Sequence, residues 1–427
     1  MVDRPAYLEK LIKWKDKSDF IKIVSGVRRC GKSTLLLLFR EHLKKNMVAE
    51  SQVISINLEL AEHSELLNWE KLHDYVKARV LPDRMNYVLI DEIQMVYEFQ
   101  RAVNSLRLEK NIDLYLTGSN AYMYSQKLST LLSGRYIEVK MFPLSFKEFA
   151  SSFDTERGGL RYDFLFDVYR EYGGFPDIAK LLAAEFKENP RSTAFPLPNA
   201  AGGLSDAGLY LDSLYNTIIV KDISLRTGID SVSEINRIVR FLFSNIGSET
   251  SFNGIMNSVN SEFKFTARDK NIYVSKVQKI TDALLESFLF YQCDRRQLKG
   301  KELLRTNSKY YAVDTGLRYY TFGGNKAMDG GHILENIVYI ELLRRGYRVY
   351  TGKVNAKEVD FVAERADTTE YYQAALSVQS EETLRRELEP LERIDDNFEK
   401  TILTLGIIPQ KSYKGIKIVD TAEWLLR

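Results

Sequence analysis

Short apolar runs alternate with longer stretches of helical periodicity over the first third of the chain. Phe20 to Val24, Gln52 to Leu58, Tyr87 to Asp91 and Asp113 to Thr117 read as buried strands. Between them, Ser33 to about Lys45, Trp69 to Val80 and Phe99 to Lys110 space their apolar residues as helices do. Such alternation predicts a parallel sheet covered on both faces, and it runs to about Phe149. Residues 160–188 are again helix-like, interrupted by Gly173-Gly174-Phe175-Pro176. Asn189 to Gly208 holds three prolines and three glycines and reads as a surface loop or linker. Helical periodicity resumes at Tyr210 and continues to Tyr291, and a hairpin-like stretch follows from Arg295 to Asp314. Gly323-Gly324-Asn325 and Gly330-Gly331 mark a second boundary. Beyond it the pattern predicts a helix from Ile333 to Arg345 and strands at Arg348 to Thr351, Glu358 to Ala363 and Tyr371 to Val378. An acidic helix starting at Glu381 and a strand at Thr401 to Leu405 complete the reading.

Composition bounds this picture. At 427 residues the chain has room for about three domains. With 44% apolar and 28% charged residues it is globular rather than disordered. The longest aliphatic run, Leu35 to Leu38, falls far short of the ~20 residues of a membrane span, and Met1 to Pro5 lacks the apolar start of a signal peptide. The expectation is a soluble, cytoplasmic protein with no membrane partner. Two cysteines, Cys30 and Cys293, are too few for a disulfide framework, and four scattered histidines predict no structural metal. The net charge of +2 is an average: residues 264–309 hold eleven basic and five acidic side chains, whereas Glu381 to Lys400 holds eight acidic and four basic.

The chemistry is concentrated near the N-terminus. Gly26-Val27-Arg28-Arg29-Cys30-Gly31-Lys32-Ser33 matches G-x-x-x-x-G-K-[ST] and lies between a strand and a helix. Its glycines let successive backbone N–H groups face phosphates. Lys32 reaches the outer phosphates, Ser33 binds Mg²⁺, and Thr34 continues the loop into the helix. Arg28 and Arg29 also lie where they can face phosphate. Tyr87-Val88-Leu89-Ile90 ends in Asp91-Glu92, which suits Asp91 to the Mg²⁺ shell and Glu92 to polarising an attacking water. Leu116-Thr117-Gly118-Ser119-Asn120 puts Ser119 where a γ-phosphate sensor would sit. Arg135, in Leu132-Ser133-Gly134-Arg135, is placed to stabilise transition-state charge, in its own site or in a neighbour's; an ordinary salt bridge is the alternative. No guanine-specific N-K-x-D is present, since Asn325-Lys326-Ala327-Met328-Asp329 has one residue too many, so ATP is the expected nucleotide.

The motifs occur in a fixed order: Asp91-Glu92-Ile93-Gln94, Thr117-Gly118-Ser119, Leu132-Ser133-Gly134-Arg135, Phe142-Pro143-Leu144-Ser145-Phe146, Gly173-Gly174-Phe175-Pro176, Lys221-Asp222-Ile223 and Lys309 to Leu317. Together with the phosphate loop, this ordered set resembles the prokaryotic AAA-type ATPases that carry a DUF4143 C-terminal region. The resemblance spans nearly the whole chain; Asn189 to Gly208 departs from it by its length. It implies a P-loop NTPase (AAA-type) parallel sheet over residues 1–150 and a helical lid and linker over 151–209. A winged-helix-like module over 210–325 and a restriction-endonuclease-like α/β domain over 326–427 would follow. It also implies Lys32, Ser33, Asp91 and Glu92 as nucleotide-site residues.

Beside the resemblance, the residues of the later regions carry their own signals. Ser275 reads as a helix N-cap ahead of Val277, Ile280, Leu284 and Phe288 on one apolar face. Lys276, Lys279, Arg295, Arg296, Lys299 and Lys301 make residues 264–309 a candidate surface for double-stranded DNA, or a solvated basic face that contacts only protein. Nucleases of the implied C-terminal fold need two strand acids and a lysine. Glu335 and Asp360 are present, but Gln373 and Ala375 stand at the second acid and lysine positions, so cleavage is not expected. The sequence therefore predicts an ATPase with ATP and Mg²⁺ as ligands, whose nucleotide state acts on its C-terminal half. A regulatory binding module with slow turnover is the alternative, and self-association is open.

Overall fold

The computed structural model describes residues 2–118, 134–153, 161–188, 206–225, 228–229, 231–262, 271–298, 303–323, 330–355, 357–366 and 368–427. These fall into two compact units, Met1–Phe142 with Glu286–Phe288, and Pro143–Leu285 with Leu289–Arg427. The long Pro/Gly stretch before Asp206 lies outside the described residues.

In the first unit a helix, α1 (Pro5–Lys13), precedes five strands and three further helices: β1 (Ile21–Ser25), α2 (Lys32–Lys45), β2 (Val53–Asn57), α3 (Trp69–Lys77), β3 (Asn86–Asp91), α4 (Phe99–Arg107), β4 (Ile112–Gly118) and β5 (Tyr136–Lys140). Among the described residues they form one parallel sheet in the order β2-β3-β4-β1-β5. Every residue of β1, β3 and β4 is buried, as expected for strands covered on both faces. One apolar cluster joins Ile23, Ile54, Val88, Ile90 and Leu114 of the sheet to Leu72 and Val76 of α3 and to Phe99 and Val103 of α4. The fifth strand adds to the four that the pattern predicts: Tyr136-Ile137-Glu138-Val139-Lys140 is an edge strand, and of its residues only Val139 is buried.

Within the strands of this sheet, the buried polar side chains Lys22, Asn86 and Asp113 lie at or near the strand starts and Ser25, Asp91 and Thr117 at or near the strand ends. At the starts, Lys22 and Asp113 form an ion pair with both side chains fully buried, and the Tyr115 hydroxyl donates to Asp113 at 2.9 Å. At the ends lie the phosphate loop and the acid pair.

The second unit is built on a mixed sheet. Its hairpin comprises β6 (Phe290–Gln297) and β7 (Leu303–Ala312). The remaining strands are β8 (Arg348–Val354), β9 (Lys357–Arg365), β10 (Thr368–Ala375), β11 (Glu399–Thr404), β12 (Ser412–Tyr413) and β13 (Ile416–Asp420). Among the described residues the order is β12-β13-β11-β10-β9-β8-β6-β7. β6 pairs in parallel with β8, so one sheet runs continuously past the expected border near residue 325. Three helices, Val232–Ser244, Phe252–Ser261 and Val274–Glu286, precede the hairpin. The expected cap Ser275 lies inside the last of them, one residue past its start, while Val277, Ile280 and Leu284 are buried as their spacing predicts.

Two of the Gly-containing motifs meet in this unit. The buried Asp314 carboxylate accepts the Gly174 N–H at 2.6 Å and the Gly316 N–H at 2.8 Å. A Cβ on Gly316 would run into the Tyr172 carbonyl oxygen, and one on Gly173 into Asp314 itself. Leu144 N–H donates to Gly174 O at 2.6 Å, and Tyr169 OH donates to Leu144 O at 2.9 Å.

Candidate functional site

The loop Gly26–Ser33 leaves the C-terminal end of β1 and enters α2. Three of its residues hold left-handed or otherwise positive φ: Gly26 (148°), Arg29 (66°) and Gly31 (105°). At Gly26 a side chain is excluded outright, because a Cβ would collide with the Met141 carbonyl oxygen. The curled backbone is held from behind by Arg4, a buried side chain whose guanidinium donates to Cys30 O and to Phe142 O, both at 3.0 Å. Its sequence position carries no signal for this task. Cys30 is likewise buried, and burial pushes its thiol pKa up, so it acts as a packing residue of the loop.

Lys32 is 4% exposed, and its ammonium donates to the carbonyls of Gly26 and Val27, both at 3.1 Å. No side chain caps the first turn of α2, so the helix start offers its N–H groups to a ligand. Ser33 lies exposed in that turn and Thr34 is half-buried behind it. Arg28 is drawn toward Glu59 at 3.7 Å, and Arg29 is exposed.

The acid pair ends β3, which β4 separates from β1 in the sheet, placing it about 10 Å across the strand ends. Asp91 and Glu92 are 6% and 7% exposed, and Glu92 adopts a left-handed backbone at φ 56°. Thr117, near the end of the intervening β4, joins the two. Its hydroxyl donates to Asp91 Oδ1 and accepts the Glu92 N–H at 2.9 Å. Gln94 donates through Nε2 to Glu92 Oε2. Thr117 and Gln94 both lie in motifs that the sequence shows, but neither is assigned a role there; the cue for Thr117 is a hydroxyl residue near the end of a buried strand of the sheet that carries the acid pair.

Carboxylate, hydroxyl, ammonium and uncapped N–H groups thus collect at one end of a parallel sheet. That donor set suits a Mg²⁺-bound polyphosphate. A model of the family described as AAA domain matches residues 18–150. A Haemophilus influenzae protein, known only as an uncharacterized protein, is 36% identical over 428 residues, which span 100% of this chain and 99% of that one. The chain belongs to the family of that protein, with an AAA domain at its N-terminal end. An uncharacterized protein of Methanocaldococcus jannaschii is 26% identical and covers 95% of this chain and 86% of its own. The Aeropyrum pernix ORC2 protein superposes with a TM-score of 0.38 and 13% identity over 67% of this chain and 86% of that one. So loose a likeness has no bearing on function. Residues 197–327 match a domain of unknown function, DUF8612, rather than the DUF4143 region that the motifs resemble.

Two further candidates, Ser119 and Arg135, remain. Ser119 lies outside the described residues. Arg135 is placed at the opposite end of the strands: its carbonyl accepts the Ile21 N–H at 3.0 Å, at the start of β1. Because β5 runs parallel to β1, the residue just before β5 lies roughly 13 Å along the strand from the phosphate loop. Arg135 therefore does not reach the loop of its own chain.

The second unit bears on two further expectations. Lys276 is paired with Glu234, Arg295 with Glu249 at 2.5 Å and Arg296 with Glu364, so these three charges of the basic stretch are neutralised internally. Lys279 is exposed, while Lys299 and Lys301 lie outside the described residues. In the C-terminal half, Gln373 accepts the Asp360 N–H at 2.7 Å and donates to Glu387 at 3.1 Å. The lysine among the acids is Lys309 of β7, which bonds Glu335 at 3.0 Å and Glu358 at 2.7 Å. Burial pulls the Lys309 pKa down, but Glu335, Asp360 and Glu358 outweigh it and hold the ammonium charged. Burial, then the neighbouring Glu335 charge, pushes the Asp360 carboxyl well up. Among the described residues no three His, Cys, Asp or Glu side chains are gathered to hold a metal ion. Nor is any described helix long and apolar enough to cross a membrane.

Proposed function

We propose that the protein is a Mg²⁺-dependent ATPase whose nucleotide state acts on its C-terminal half. The observation that carries this reading is the juxtaposition of the Lys32 loop and the Asp91–Glu92 pair at the same end of one parallel sheet, with β4 between them. Lys32 and the uncapped N–H groups of α2 would hold the phosphates, and Ser33 and Asp91 would hold Mg²⁺. Bound Mg²⁺ supplies positive charge to the phosphate oxygens. Glu92, fixed by its left-handed backbone and by Gln94, is placed to orient a water and accept its proton.

Any part that Arg135 plays in this chemistry belongs to a second copy of the chain. The proposal extends to double-stranded DNA as a partner of a winged-helix-like region within residues 264–309. Its support is the net positive charge of that stretch, within which Lys279 is exposed while Lys276, Arg295 and Arg296 share their charge with acidic partners, and the three helices that precede the hairpin.

One experiment tests both parts: ATP turnover with Mg²⁺ for wild type and Glu92→Gln, with and without duplex DNA at low and high salt. The variant is expected to lose ~100-fold or more in turnover. Unchanged turnover would sink the role of Glu92. Turnover indifferent to DNA at both salt concentrations, with no DNA retained, would remove DNA as the partner.

A further inference from the structure

We infer that Thr117 is a positioning residue that couples the metal-binding acid to the water-orienting acid; the inference rests on the ATPase reading above. Thr117 is fully buried and lies one residue before the end of β4, the strand that separates β1 from β3. It stands beside Val24 in the register with β1, and one residue past the Leu116–Ile90 pair in the register with β3. A single hydroxyl at this point performs two tasks. Its proton goes to Asp91 Oδ1, and its oxygen accepts the Glu92 N–H.

The first bond occupies one carboxylate oxygen of Asp91 and fixes the plane of the group, leaving Oδ2 as the oxygen for a cation. The second bond matters because of the backbone it holds. Glu92 sits at φ 56°, a conformation a β-carbon disfavours, which persists only where surrounding contacts impose it. Thr117 supplies one such contact, and Gln94 holds the other end of the residue through its side chain. The orientation of the cation ligand and that of the water-orienting carboxylate are thus set by one oxygen atom. Partners of this kind, one bond removed from a metal, typically change affinity or rate by ~10–100-fold when removed.

The Thr117→Val variant keeps the shape and the β-branch and loses only the hydroxyl; Thr117→Ser keeps the hydroxyl and loses a methyl. Two readouts separate the possibilities: steady-state turnover, and Mg²⁺-dependent binding of a fluorescent non-hydrolysable ATP analogue. For Thr117→Val the expectation is a ~10–100-fold lower kcat with KM for ATP within a few-fold. Analogue binding should then need ~10-fold more Mg²⁺ for half-saturation, with binding in Mg²⁺-free buffer unchanged. Thr117→Ser should recover both to within a few-fold of wild type.

If Thr117→Val turns over as wild type does and keeps its Mg²⁺ dependence, Thr117 is only a packing residue and the inference is overturned. It is overturned equally if Thr117→Ser fails to restore a loss seen with Thr117→Val, because the hydroxyl is then not what was lost. Wild-type protein that neither binds nor hydrolyses MgATP removes the ATPase reading and this inference together. Active wild type with an unaffected Thr117→Val variant removes this inference alone.

Discussion

Asp314 shows how one side chain can set the pH response of a whole region. It is buried against the Gly173–Gly174 turn, and burial pushes its carboxyl up to about 6, although the Gly174 and Gly316 N–H groups and Arg344 pull the other way. An acid whose pKa is higher in the folded protein than in the unfolded chain stabilises the fold when protonated. Its contribution is complete below about 4 and is lost as pH rises through about 6. The difference is on the order of 3 kcal/mol. Asp314→Asn should flatten this part of the profile. It should also cost ~1–3 kcal/mol at every pH, because the amide's NH₂ cannot accept the second of the two N–H groups. Urea midpoints of wild type and variant at pH 4.5 and 7 check this; parallel profiles would show that Asp314 does not titrate in that window.

At the scale of elements, the phosphate loop depends on contacts that local sequence does not display. Its glycine and lysine positions are legible because backbone curvature and phosphate reach require them at fixed spacing. The acid strand is legible because an apolar run ending in two carboxylates needs a solvent-facing or ligand-facing end. The parts that escape a reading of the sequence are those fixed between strands: Arg4 behind the loop, Thr117 between the acids and Lys309 among the acids of the second sheet. Arg135 lies away from the phosphate loop of its own chain for a related reason. Its motif precedes an edge strand that the apolar pattern does not reveal, and the direction of that strand carries Arg135 to the far end of the strands.

The same dependence makes Gly26→Ala a test of the loop itself. The added methyl would meet the Met141 carbonyl at a φ that L-residues rarely adopt, so the loop must shift while the buried sheet stays intact. Analogue binding should fall by ~10-fold or more with little change in the far-ultraviolet circular dichroism spectrum. Wild-type affinity in the variant would mean that the curvature at Gly26 is dispensable.

At the scale of the molecule, the first unit is largely legible because three of its strands are buried runs and a fourth, β2, is an alternating one, all set between helices. The second is legible only in pieces. Its helices and hairpin show in the pattern, but nothing there indicates that β6 joins β8 across some fifty residues of chain. A fragment limited to residues 197–327 therefore loses more than length. It leaves the β6 edge unpaired and removes Asn336, which both accepts from and donates to the Ala312 backbone. It also strips Glu335 and Glu358 from the buried Lys309. Such a fragment is expected to aggregate or remain unfolded in size-exclusion chromatography, whereas residues 143–427 keep all of these partners. A monodisperse, cooperatively folded 197–327 fragment would contradict this.

The pairing of β6 with β8 also bears on how such a protein can be inherited. Recombination that cuts between them hands each descendant half of a sheet, so neither product arrives with a finished core. Exchange among relatives should spare that interval and transfer the stretch from β6 to β13 as one block, even where the boundaries of family models fall inside it.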